Sequence, residues 1–138
     1  MKSYEVFHYK DAERFLESRG LLEEVKYVIA NINTIKHSQI QALFESKGWM
    51  LEYKIFENVS WAWDAFKDNV AVSIELSLID AVHRDFLRAM LAHKRGELDA
   101  LVYVTSTAKE PKYANVLRDL KVFSEMLDFP ILLIGLEP

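Results

Sequence analysis

The stretch "WDAFKDNVAVSIELS", residues 63–77, holds Asp64 before a short polar break and Glu75 beyond it, with Ser73 between them. Carboxylates are hard oxygen donors of the kind that hold Mg²⁺, and an ion so held activates water and offsets the charge that gathers on a phosphodiester under attack. Metal-assisted hydrolysis is therefore the chemistry open to this trio, provided the backbone gathers it. Side chains alternate across a strand, so "VAVSIELS" puts Val70, Val72, Ile74 and Leu76 on an apolar face and Ala71, Ser73, Glu75 and Ser77 on a small, polar one. In "SWAWDAF" the same alternation separates Trp61, Trp63 and Ala65 from Ala62, Asp64 and Phe66. If the two strands pair as a hairpin, Asp64 points to the side of Ser73 and Glu75.

The elements that must do this positioning are legible from period and punctuation. Residues 10–32 place Ala12, Phe15, Leu16, Leu22, Val25, Ile29 and Ile32 at helical spacing, which predicts one long helix or two joined near Gly20. A second helical stretch runs from about Thr34 to Lys47 and stops at Gly48. The period then changes: "GWMLEYKIF", "VSWAWDAF" and "VAVSIELS" read as three strands of a meander. Ile79, Val82, Phe86, Ala89 and Met90 line one side of a helix reaching about Arg95, closed by Gly96. "LDALVYVTS" reads as a strand buried on both faces, followed by a helix from about Pro111 to Leu127 and the closing strand "PILLIGL". Strand, helix, strand from Val70 to Thr105 favours a parallel crossover. The expected fold is an α/β domain with a mixed central sheet flanked by helices.

Composition bounds the rest. A chain of 138 residues that is 51% hydrophobic suits one domain, residues 1–138, with no linker, repeat or low-complexity tract. The absence of cysteine excludes disulfides, thiolate metal sites and a cysteine nucleophile, and fits a reducing compartment. No apolar run approaches the roughly 20 residues of a membrane span, and the N-terminal stretch has no signal core, so a soluble cytoplasmic protein is expected. The net charge of -4 argues against broad coating of nucleic acid while leaving room for a local basic face.

Taken together, Asp64, "VAVSIEL", "RDFLR" with Asp85 and Arg88, and "GELDALVYV" follow one another in the order of a known pattern. The sequence resembles the BglII and BstYI-type restriction endonucleases, a branch of the PD-(D/E)XK nuclease fold. "ALFESKGW" looks like that family's helix entering the first strand and "FPILLIGLEP" like its closing strand, so the resemblance covers the chain from about Thr34 onward. It implies a restriction-endonuclease-like core, a Mg²⁺-dependent (or Mn²⁺-dependent) DNA endonuclease, and a two-fold homodimer. It places Asp64 at the metal-binding aspartate, Ser73 at the metal-binding glutamate, and Glu75 where the family has lysine, glutamine or glutamate. Serine there removes one negative charge and one direct ligand, and Glu75 stands ready to serve in its place. The catalytic candidates are thus Asp64, Ser73 and Glu75, with Asp64 and Glu75 as metal ligands.

Other residues divide between chemistry and structure. Arg84, Arg88, Lys94 and Arg95 are the candidates for contact with nucleic-acid phosphate, although Lys94 and Arg95 also complement the dipole at a helix end. Glu45 reads as part of a solvated helix face, or else as a further carboxylate reaching the same metal. His37 lies near a helix start, where a capping or surface role is the default. Trp49, Trp61 and Trp63 read as core or dimer contacts, and His83 and His93 lack metal-ligand spacing. The chain has no Gly-rich phosphate loop, no G-x-S-x-G and no paired histidines, which disfavours a small-molecule enzyme. Two function classes remain: a Mg²⁺-dependent DNA endonuclease, and an inactive protein on the same fold that binds nucleic acid or a partner subunit.

Overall fold

The computed structural model of the protein describes residues 4–76, 81–108 and 112–138, the Lys112 side chain excepted. In chain order the elements are β1 (Tyr4–Tyr9), α1 (Ala12–Ser18), α2 (Leu22–Ala30), α3 (His37–Ser46), β2 (Met50–Lys54), β3 (Ala62–Lys67), β4 (Val70–Ile74), α4 (Ala81–Lys94), β5 (Ala100–Ser106), α5 (Lys112–Val122) and β6 (Ile131–Leu136). The six strands form one sheet in the order β1-β6-β5-β4-β3-β2. β4, β5 and β6 are parallel, while β3 and β2 on one side and β1 on the other add antiparallel edges. Parallel strands are buried on both faces, and β4, β5 and β6 are buried throughout. Among the described residues no helix is long and apolar enough to cross a membrane.

The two faces of the sheet carry separate cores. On one, Leu16 of α1, Val25 and Ile29 of α2, and Ile40 and Phe44 of α3 pack over Val70, Val72, Ile74, Val102 and Ile134. On the other, Val82, Phe86 and Ala89 of α4 and Val116 and Leu120 of α5 pack over Ala71, Leu101, Tyr103 and Leu133. The expected mixed sheet flanked by helices is therefore the fold, and the joint near Gly20 divides the first helical region in two. Gly48, at φ 86°, lets the chain leave α3 with Trp49 N–H bonded back to Phe44 O at 3.2 Å. Gly96, at φ 74°, does the same after α4.

Three differences from the sequence reading have physical causes. The periodicity gave no element before residue 10, yet Tyr4–Tyr9 pairs antiparallel with β6, from Tyr4↔Leu136 to Tyr9↔Ile131. This edge strand is mostly exposed and has no clean alternation to read. α5 ends at Val122 rather than near Leu127, because Tyr9 Oη donates to Leu127 O at 2.8 Å and Lys10 Nζ to Ser124 O at 2.8 Å, drawing those carbonyls out of a helix. Its expected start at Pro111, Ser77 on the polar face and Ile79 on the α4 stripe lie outside the described residues. Finally, Trp63 does not share a face with Ala65: it joins Phe66 on the α4 side, while Ala65 packs on the α3 side.

Candidate functional site

That last departure builds the site. Strands β2 and β3 keep one register on either side of Glu52 and Asp64, with Leu51↔Ala65 before and Tyr53↔Trp63 after. Leu51 and Ala65 nevertheless face the first core, whereas Tyr53 stacks on Phe66 at 4.1 Å beside Trp63 of the second. The ribbon turns over between them, where Glu52 takes a φ of 50°. Pairing of β3 with β4 also stops at Ala65↔Val72, one residue short of Asp64 and Ser73. Asp64 thus stands where β3 parts from β4, and its side chain takes over the bonding: Oδ2 accepts the Ile74 N–H at 2.6 Å.

The other carboxylate oxygen meets α3. His37 Nε2, in its first turn, lies 2.8 Å from Asp64 Oδ1 with the imidazole N–H donating. One turn later the Gln41 amide donates to Asp64 O at 3.0 Å and to Glu52 Oε1 at 2.8 Å, fixing the crossing ribbon against the helix. Burial raises the Asp64 carboxyl above its ordinary value despite the Ile74 and His37 hydrogen bonds.

A cavity of about 320 Å³ opens beside Asp64 and is lined by His37, Ser73, Glu75, Arg84, Asp85 and Arg88 among others. The expected convergence of Asp64, Ser73 and Glu75 is thus present as a shared lining. Ser73 follows Ala71 on the α4 side of β4, and Glu75 continues just beyond the strand, its N–H bonded to Val104 O at 2.8 Å. α4 supplies the opposite wall. Arg84 Nη2 lies 3.3 Å from Asp85 Oδ1 and 4.0 Å from Glu75 Oε2. Asp85 Oδ2 accepts from the Tyr103 hydroxyl at 2.9 Å. Burial raises Asp85 above the usual carboxylate range, and burial with the Asp85 charge raises Tyr103 far above its own.

Of the basic candidates, Arg84 and Arg88 reach this cavity and Lys94 and Arg95 do not. Lys94 ends α4 and Arg95 follows it, six and seven residues beyond Arg88, which at roughly 1.5 Å each is about 10 Å further along the axis. Arg95 instead covers the Phe56 ring at 5.2 Å in a separate groove of about 900 Å³. Glu45 is exposed and stays outside the cavity. Trp49 and Trp63 are core residues, Trp49 Nε1 donating to Glu24 at 2.8 Å, whereas Trp61 is 40% exposed. His83 bonds Asp119, and His93 bonds Leu98 O, both away from the site.

Sequence reasoning did not single out Gln41, Glu52 or Asp85 as site residues. Asp85 carried a usable signal: it falls among Ala81, Phe86, Ala89 and Ala92 on the buried stripe of α4, where an unpaired acid would be costly. Gln41 and Glu52 carried none, because their role depends on the turned ribbon. Among the described residues no three His, Asp or Glu side chains come close enough to hold an ion by themselves. The donor chemistry nonetheless suits Mg²⁺, which keeps several waters and is usually held by one or two carboxylates together with substrate phosphate. Asp64, Glu75 and Asp85 are the carboxylates that line the cavity.

No curated protein matches the sequence. Among solved structures, the chain is similar to that of a crystal structure of restriction endonuclease BglII complexed with a DNA 16-mer, with a TM-score of 0.83 and 17% identity over 99% of this chain and 77% of that one. A sequence model of the restriction endonucleases BglII/BglIII matches residues 4–136. With nearly all of its length covered, the chain belongs to the BglII/BglIII restriction endonuclease family.

Proposed function

We propose that the chain is a DNA endonuclease of the BglII type that uses Mg²⁺ or Mn²⁺ and works as a two-fold homodimer. The observation that carries this reading is the shared cavity, in which Asp64, Ser73 and Glu75 face Arg84 and Arg88. The structurally similar BglII is complexed with DNA, which supports DNA as the substrate. When bound at Asp64 and Glu75, the ion would supply Lewis-acid activation of water and of the scissile phosphate. The chain's own residues do the positioning. His37 and the Ile74 N–H hold the Asp64 carboxylate at the parting of the strands, Tyr103 and Arg84 hold Asp85 beneath Glu75, and Arg88 stands at the wall where phosphate would lie. Lys94 and Arg95 would contact DNA beyond the cavity. The exposed Leu87, Phe123 and Met126 on the α4 and α5 side offer an apolar face for the second copy.

A second reading, a DNA-binding protein without cleavage, is favoured by Ser73, whose neutral hydroxyl is a poor substitute for a metal carboxylate. Cleavage of supercoiled plasmid with each metal separates the two. The endonuclease reading expects nicking that falls by more than about 100-fold in Asp64→Ala, beyond the usual cost of losing a supporting contact. It also expects Ser73→Glu to tighten Mn²⁺ binding, measured by calorimetry, by roughly tenfold, since charge count sets affinity at oxygen sites. Cleavage that survives Asp64→Ala would place the chemistry elsewhere. Binding of DNA with no cleavage by the natural protein would leave the second reading standing.

A further inference from the structure

The two arginines of the cavity are not equivalent. Arg84 is committed to carboxylates, at 3.3 Å from Asp85 and 4.0 Å from Glu75. Arg88, one turn further along α4, forms no ion pair among the described residues. Its guanidinium carbon instead lies 4.0 Å from the centroid of the Trp61 ring. Its Nε is buried and has no hydrogen-bond partner. With Nε shut off from solvent, the terminal Nη groups are the part of this guanidinium that can meet a ligand.

Trp61 makes the arrangement stranger still as a packing device. It is 40% exposed and meets Phe56 edge-on at 6.0 Å, so it contributes little to either core. What it does is hold one face of the guanidinium. An arginine stacked on an indole is fixed in plane, and its N–H groups, which lie in that plane, keep the fork that fits two oxygens of a phosphate. The need for such a group is local: Asp64, Glu75 and Asp85 line the same cavity and repel a phosphate. Arg84 is already spent on two of those three acids.

We infer that Arg88 is the phosphate-receiving group of this cavity, taking non-bridging oxygens of a DNA backbone phosphate beside Asp64, and that Trp61 is the positioning residue which presents it. This rests on the endonuclease reading and deepens it, because it separates one arginine from the other basic candidates. It also gives Trp61, which lines the neighbouring groove with Phe56 and Arg95 and not the cavity itself, a part in substrate binding through Arg88.

The test is binding without chemistry. Fluorescence anisotropy of a labelled duplex in Ca²⁺ gives Kd for the natural protein and its variants between about 50 and about 200 mM salt, where each phosphate contact adds about 0.9 to the slope of log Kd against log salt. Arg88→Ala should lower that slope by about one contact and weaken binding roughly tenfold at the low-salt end. Arg88→Gln, which keeps the stem in place, should do the same. Trp61→Leu should leave the slope unchanged and weaken binding about threefold, with Trp61→Tyr restoring most of it, since the ring and not the charge is lost. An unchanged slope in both Arg88 variants, or unchanged affinity in Trp61→Leu, overturns the inference while the natural protein still binds. No binding by the natural protein at low salt overturns the DNA reading itself.

Discussion

Asp85 is a carboxyl surrounded by apolar α4 neighbours, with the Tyr103 hydroxyl on one oxygen and Arg84 on the other. Burial outweighs both partners and raises its pKa above the ordinary carboxylate value. The folded state therefore holds this proton to higher pH than the unfolded chain does. The contribution to stability is full below the unfolded value and is lost as pH rises toward the folded one, after which the ionised group is a standing cost. Asp85→Asn keeps an oxygen acceptor for Tyr103 and removes the charge. Its melting temperature should exceed that of the natural protein near about pH 7, with the gap closing toward about pH 3. A variant less stable than the natural protein near pH 7 and equal to it near pH 3 would show that the Arg84 contact outweighs burial. At this scale the sequence was legible in part. Ser73 and Glu75 could be placed together because alternation along β4 is regular, whereas the alternation expected to bring Asp64 to them breaks between Trp63 and Ala65, and Asp64 lines the same cavity through the turned ribbon. His37 could not be placed against Asp64, because nothing local to residue 37 tells that α3 begins beside the parting of two strands.

Elements were legible wherever their own period carried them. α3, β2, β4, α4, β5 and β6 fall within the stretches expected of them, and β3 runs one residue past its own, to Lys67, since each buries a stripe or a face that the residues spell out. The failures are elements whose limits are set by a distant partner: β1 by its pairing with β6, the end of α5 by Tyr9 and Lys10, and the turned β2–β3 ribbon by Gln41. Gly135 illustrates such a constraint. A Cβ there would fall 2.5 Å from Tyr113 Cδ1 and 2.9 Å from Thr107 Cγ2, so α5 seats its first turn on β6 only because the strand is bare at that point. Gly135→Ala should destabilise the fold by about 1–3 kcal/mol through overpacking. Tyr113→Ala in the same chain should recover part of that loss, measured as the shift of the urea midpoint. A Gly135→Ala chain as stable as the natural one would mean that α5 can shift away without cost.

For the molecule as a whole, the proposed homodimer is the property with the most direct test. Leu87, Phe123 and Met126 are 63%, 40% and 57% exposed on one side, more apolar surface than a free helical face needs. Sedimentation at about 10 µM should give a dimer mass, and Leu87→Glu with Met126→Glu should give a folded monomer. A natural protein that sediments as a monomer would exclude the dimer at that concentration. The layered architecture was legible before the structure, because parallel burial and the strand, helix, strand unit fix it, but the complete strand order was not, since no residue names its partner across the chain. That order has a consequence for how the chain comes to be folded. β1 is synthesised long before β6, yet among the described residues its pairing is with residues 131–136. A nascent chain can assemble α1 to α3 against a partial sheet, but β1 has no ladder to join until β6 emerges. Closure of that side is a long-range event that sets a slow final phase of folding, and until then the outer edge of β5 is an open template for the wrong strand.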